Sequence, residues 1–188
     1  MLTFWRHGYE SSSIADLTTA MGISTPSLYT AFGDKKQLFL EAARLYAGDQ
    51  TALTEAIAAA PSARQAAGDL LNGAAIAYTG EDTPRGCLLA SATASGSAAS
   101  ADVQHAVAAI RGGVQQCLKE RIEQDIGEGV LPADTEAAGL SGMVMAVMQG
   151  LSVLARDGAD QAALLSIVGA TLRAWPRARR DGSISAPG

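Results

Sequence analysis

The 188 residues hold only two cysteines, Cys87 and Cys117. That excludes a disulfide framework and favours a reducing setting such as the cytoplasm. Histidine is as scarce, at His7 and His105. Their spacings to the cysteines match no zinc pattern, so no metal site is expected. His7 precedes Gly8 and reads as a helix-end residue. No signal peptide is recognisable before the first helix. No uncharged apolar run of about 18 residues has membrane character. The nearest candidate, 137–155, is interrupted by Gly139, Ser141, Gly142, Gln149 and Gly150 and fits a buried helix. Glycine-rich phosphate loops, paired His/Glu metal motifs and nucleophile elbows are missing too. The reading is therefore no enzyme and no cofactor. Aromatic residues are few and β-branched runs short, whereas alanine and leucine abound. Long periodic stretches of that composition predict an all-α chain.

Positive charge is also in short supply. The net charge is −5, unusual for a protein that meets nucleic acid. The deficit is uneven. Residues 1–48 carry four basic side chains (Arg6, Lys35, Lys36, Arg44) against four acidic ones, and the remaining residues carry ten against fifteen.

What is present is concentrated in residues 11–40. Ser13 precedes the apolar run Ile14, Leu17, Met21, and Asp16 three residues later completes a capping box. Gly22 stops this helix, because glycine accepts the positive φ just past a helix end. Ser24 caps a second helix, and Pro26 falls in its first turn, where a missing N–H costs nothing. Leu28 and Phe32 point inward; Ser27, Tyr29 and Thr30 are left on other faces. Gly33 ends this helix after about two turns. Asp34 caps a third, with Gln37 three residues on. A short, capped helix with a polar face fits a DNA major groove. The Thr25 and Ser27 hydroxyls, with the N–H groups of the helix start, can reach base edges or phosphate oxygens. Ser13 joins the candidate contact set. A helical hairpin inside a larger bundle would share the caps but would bury more of its middle helix.

The run GYESSSIADLTTAMGISTPSLYTAFGDKKQLF resembles the DNA-binding segment of the TetR family of transcriptional regulators. The likeness covers residues 4–48. It is strongest at the glycine turn, the Leu28-Tyr29 pair and Phe32-x-x-Lys35. It implies that 25–32 is the recognition helix, that Tyr29 and Lys35 contact phosphates, and that Thr25, Pro26, Ser27 and Thr30 face the groove. Thr18 departs from the alanine of many members but is still small. Members usually have a fuller first helix, so N-terminal residues are expected to be missing from this sequence.

Beyond the head, a helix is predicted from Lys35 to Ala59, another from Ser62 to Thr79, then a loop GEDTPRG and a short helix from Cys87 to Ala94. Residues 95–100 read as loop. Val103, Val107, Ile110, Val114 and Cys117 form one stripe of a long helix ending near Gly127. Asp134 is expected to cap a helix reaching Arg156, with Gly142, Ala146 and Gly150 at i, i+4 and i+8. A last helix spans Asp160 to Trp175, and ARRDGSISAPG reads as a disordered tail.

The last two helices are very apolar, which fits either a partner chain or this chain's own core. The resemblance favours a partner, since members dimerise by packing their last two helices into a four-helix bundle. Gly142, Ala146, Gly150, Leu151, Leu154, Leu164, Val168 and Leu172 are the expected interface. GCLLASA, EGVLPADTE, QGLSVLARDGA and LRAWP resemble one C-terminal subgroup of the family. The family also implies a small-molecule pocket among the middle helices. Tyr78, Cys117, Met143 and Met148 are candidates to line it, though methionines on an apolar helix fit plain core equally.

The expectation is an all-α fold of about nine helices with a truncated first helix. It has a helix-turn-helix DNA-binding domain (1–48), a ligand-binding and dimerisation domain (49–176) and a tail (177–188). The function expected is a ligand-responsive regulator, a homodimeric repressor on a palindromic operator. The other reading is a helical small-molecule-binding or scaffold protein without specific DNA binding.

Overall fold

A computed structural model describes residues 1–91 and 100–177. Among them are ten helical segments and no strand. They are α1 (Leu2–Ser11), α2 (Ile14–Met21), α3 (Thr25–Phe32), α4 (Lys35–Ala47), α5 (Gln50–Ala59), α6 (Ala63–Tyr78), α7 (Leu88–Ser91), α8 (Ala101–Gly127), α9 (Ala137–Arg156) and α10 (Gln161–Arg173). Setting aside the single turn α7, nine remain. The expected tail and most of the 95–100 loop lie outside the described residues.

The head is built by local capping. Ser13 Oγ accepts from Asp16 N at 3.1 Å, and Asp16 Oδ2 accepts from Ser13 N at 2.9 Å. Gly22 takes φ +66° after Met21. Ser24 accepts from Ser27 N, and Asp34 from Gln37 N. Thr18 is buried at the α2 crossing and returns its hydroxyl to Ile14 O at 2.9 Å. Below these helices lies an aromatic cluster. Phe4 meets Phe39 edge-on at 5.2 Å, and Tyr9 meets Phe39 at the same distance. α1 departs from helical geometry at Gly8, consistent with His7 at a helix end.

Two expectations about helix bounds need correction. The helix expected from Lys35 to Ala59 is two. Gly48 leaves α4 at φ +67°, and Asp49 accepts from Thr51 N and Ala52 N to start α5. Asp134 caps nothing. Pro132 O accepts from Thr135 N in a turn, so α9 starts three residues later than Asp134, with Glu136 at its N-cap.

The body packs α9 against α6, α8 and α10, with α5 against α8 and α6. Leu71, Leu118, Ile122, Val144, Leu151 and Leu164 form its fully buried centre. One ion pair lies inside it. Arg121 and Asp125, one helical turn apart on α8, pair with side chains 5% and 1% exposed. Asp125 Oδ2 also accepts from Ala63 N at 2.8 Å, and Arg121 Nε donates to Ala60 O at 3.3 Å. The pair therefore holds α8 to the turn between α5 and α6. Among the described residues, α9 is the one helix long and apolar enough to cross a membrane. Here it is a packed element of the bundle.

Candidate nucleic-acid interface

Helix α3 rests on the head through two residues, Leu28 and Phe32. Leu28 is fully buried and Phe32 half-buried, whereas Thr25, Pro26, Ser27, Tyr29, Thr30 and Ala31 are exposed. Tyr29, at 47% exposure, is a large ring left on the surface. An eight-residue helix with that much open side chain has the dimensions of a major-groove reader.

The functional groups on this face are not all free. Ser27 Oγ lies 2.9 Å from Ser24 Oγ, a bond that a duplex would have to compete with. Pro26 has no N–H and the Ser27 N–H goes to Ser24. Hydroxyls, rather than backbone donors, thus carry most of the contact capacity at this helix start. Ser13 spends its hydroxyl on the Asp16 carboxylate at 2.6 Å and on the cap of α2. In this state it is a structural group.

Lys35 is likewise engaged within the chain. Its Nζ donates to Glu10 O at 3.2 Å and lies 4.6 Å above the Tyr9 ring. Burial pulls its pKa down, with Glu10 opposing. Lys36 pairs with Asp102 of α8 at 3.0 Å. The hydrogen bond to that carboxylate raises its pKa. Both ammonium groups therefore already have partners within the chain. Sequence reasoning missed these two links, because each joins residues distant in the chain.

Among the described residues, two of the half-open cavities adjoin around α5 and α8. One, of about 350 Å³, is lined by α5 and α8 residues including Leu53, Ile57, Ile110, Val114 and Cys117. The other, of about 130 Å³, shares Leu53, Ile110 and Val114 and is closed by Tyr46, Tyr78, Cys87, Met145 and Met148. Tyr78 and Met148 line the second and Cys117 the first, so three of the four expected lining residues converge. Met143 lines neither and packs against the core. Tyr46, Cys87 and Met145 were not foreseen as lining residues. Burial raises the pKa of the Tyr46 and Tyr78 phenols, with Cys87 adding to it. They remain neutral donors.

The expected interface residues divide by helix face. Leu151, Leu164 and Val168 are turned into this chain's own core and have at most 1% of their surface free. That corrects their assignment, because a buried side chain offers a partner no area. Leu172 is half-buried against Gly68. An added Cβ on Gly142 would lie at an ordinary 3.6 Å from the Gln115 side chain of α8, and the residue is half-buried. Ala146, Gly150 and Leu154 do face outward, joined by Val153 and Leu165, which were not named. No group of three His, Cys, Asp or Glu residues that could hold a metal occurs among the described residues.

Residues 3–42 match the family described as bacterial regulatory proteins, tetR family, and residues 69–169 match the tetracyclin repressor-like C-terminal domain. Over 178 residues the chain is 32% identical to the HTH-type transcriptional repressor ComR of Escherichia coli K12, covering 94% of this chain and 85% of that protein. The fold is similar to the TetR family regulator CifR, solved as a cysteine mutant with 26-bp double-strand operator DNA, at TM-score 0.85 and 40% identity over 93% of this chain and 92% of that one. A putative TetR regulator from Rhodococcus sp. RHA1 is 36% identical over 93% and 94% of the two chains, at TM-score 0.63.

Proposed function

Since this chain belongs to the TetR family and is a DNA-binding transcriptional regulator, we propose that it acts as a homodimeric repressor on a palindromic operator, released by a small molecule held in the body. The observation that carries the reading is α3: one buried side chain, six exposed ones, and a rigid capped frame at both ends. A scaffold protein with an idle helix-turn-helix would have no reason to leave such a face bare.

Two α3 helices related by a two-fold axis enter successive major grooves, about 34–36 Å apart. Thr25, Pro26, Ser27 and Thr30 face the base edges. Tyr29 reaches a phosphate, and Lys35 exchanges its Glu10 carbonyl for another. With a head of zero net charge, hydroxyl and shape contacts carry more of the affinity than counterion release does. The outward apolar faces of α9 and α10 supply the dimer contact.

The paired cavities supply the effector site. Their walls are apolar, with the phenols of Tyr46 and Tyr78 at one end. A molecule lodged there acts by population shift, binding the arrangement that does not fit the operator better than the one that does. The function proposed requires no catalysed reaction. The site of action is the cytoplasm, where the DNA is.

The test is an operator selected from random duplexes, followed by binding of variants. Tyr29→Ala should weaken every sequence alike, by about 1–2 kcal/mol for a lost phosphate contact. Ser27→Ala and Thr30→Ala should instead change which bases are preferred, by about 1–3 kcal/mol at the contacted position. Equal losses on all sequences for all three variants would refute the division of roles.

A further inference from the structure

The head packs on the body through α1 against α7 and α4 against α8, and three elements also meet at one crowded seat. Trp5 of α1 donates its indole N–H to Gly86 O at 3.0 Å. Arg156, the last residue of α9, donates through Nη2 to Trp5 O at 3.2 Å and to Cys87 O at 3.3 Å. The strand of chain between them lies strapped along the end of α9. Cys87 N donates to Ser152 Oγ at 2.8 Å, and Arg85 Nη1 donates to Ala159 O at 2.9 Å. Gly86 has φ +79°, and an added Cβ would stand 2.7 Å from Arg156 Nε and 2.8 Å from Ser152 O. Glycine is required there by both backbone conformation and space.

The seat also touches α4. The Trp5 ring meets Tyr46 edge-on at 4.8 Å. Thus α1 near its start and α4 near its end, the helices that flank α2 and α3, both touch it. The other head–body link described above, Lys36 to Asp102, lies at the solvent boundary, where screening makes it weak. Helix α4 also packs along α8 and α1 along α7, and the side-chain hydrogen bonds that join α1 to the body converge at Trp5, Gly86 and Arg156.

We propose that this seat is the joint that fixes the operator's half-site spacing, with Arg156 and Trp5 as its positioning residues. The inference rests on the paired-head reading given above. Arg156 follows Leu154 by two residues on α9, the helix whose outer face meets the partner in that reading. Arg156 thereby ties the head to the helix that carries the dimer face. The seat also shares Tyr46 and Cys87 with the smaller cavity. A molecule entering that cavity meets the joint directly.

The experiment uses the full chain and the selected operator, together with versions carrying one base pair more or fewer between half-sites. One base pair turns a half-site by about 34° around the duplex axis. The wild-type protein should therefore discriminate against both altered spacings by about tenfold or more. Trp5→Phe keeps the ring contact with Tyr46 and loses the indole donor. Arg156→Met keeps the stem and loses both hydrogen bonds. Each should bring the ratio between spacings down to about threefold or less. Leu118→Ala, a core variant remote from the joint, should lower the melting temperature and leave the ratio intact. Folded Trp5→Phe and Arg156→Met proteins that keep the wild-type ratio overturn the proposal. A wild-type protein indifferent to spacing overturns the paired-head reading itself.

Discussion

Asp125→Ala removes a carboxylate that holds two separate partners inside the body. Its side chain is 1% exposed, and it accepts from Ala63 N while pairing with Arg121. Truncation leaves a guanidinium that is itself 5% exposed without its counter-charge. It also strips the α6 helix start of a buried acceptor. Breaking one side of such a pair costs about 3–5 kcal/mol. For a chain of this length each kcal/mol lowers Tm by about 2–4 °C, so a fall of about 6–20 °C is expected. The assay is a calorimetric or circular-dichroism melt at fixed protomer concentration, since dimerisation couples to stability. A second variant tests the cause. Arg121→Met combined with Asp125→Leu removes both charges and fills the space with apolar atoms, and should cost less than about 1–2 kcal/mol. Operator binding by either protein, measured well below its transition, should match the wild type. An Asp125→Ala protein melting within about 2 °C of the wild type would refute the reasoning.

Two further outcomes are expected. Leu154→Asp places a charge on the outward face of α9 and should weaken self-association by more than about tenfold in sedimentation, while Leu151→Asp, directed into the core, should unfold the chain; a Leu154→Asp dimer of unchanged affinity would remove that face from the interface. Asp16 is held below its ordinary 3.8 by the hydrogen bonds from Ser13, so its contribution to the α2 cap is present above that value and is lost as pH falls through the lower, folded-state value; carboxyl-carbon NMR that finds Asp16 titrating at or above 3.8 would contradict the capping box.

The head was legible residue by residue because its determinants are local. Caps at Ser13, Ser24 and Asp34 and stops at Gly22 and Gly33 act within four residues of chain, and all five stand where the pattern puts them. The same signals were present at Gly48 and Asp49, but the apolar spacing runs on through Leu53 and Ile57 and masks the break. Asp134 misled for the opposite reason: a good cap residue was already committed to the turn after Pro132. What could not be read is which side of an evenly apolar helix faces home. Leu151 and Leu154 are indistinguishable in sequence, yet one is sealed and the other open. The Arg121–Asp125 pair resembles any solvated i,i+4 pair until α6 covers it. Lys35 over Tyr9 and Trp5 on Gly86 join distant residues, and no periodicity announces them.

The bareness of α3 has a consequence for how such a protein changes over generations. Because only Leu28 and Phe32 anchor the helix, the outward positions can be exchanged with little penalty to folding. Diversifying residues 25, 27, 30 and 31 together should yield folded offspring with new operator tastes at high frequency. The helix behaves as an interchangeable key bit on a fixed shank, and recruiting the chain to another promoter requires no redesign of the parts beneath it.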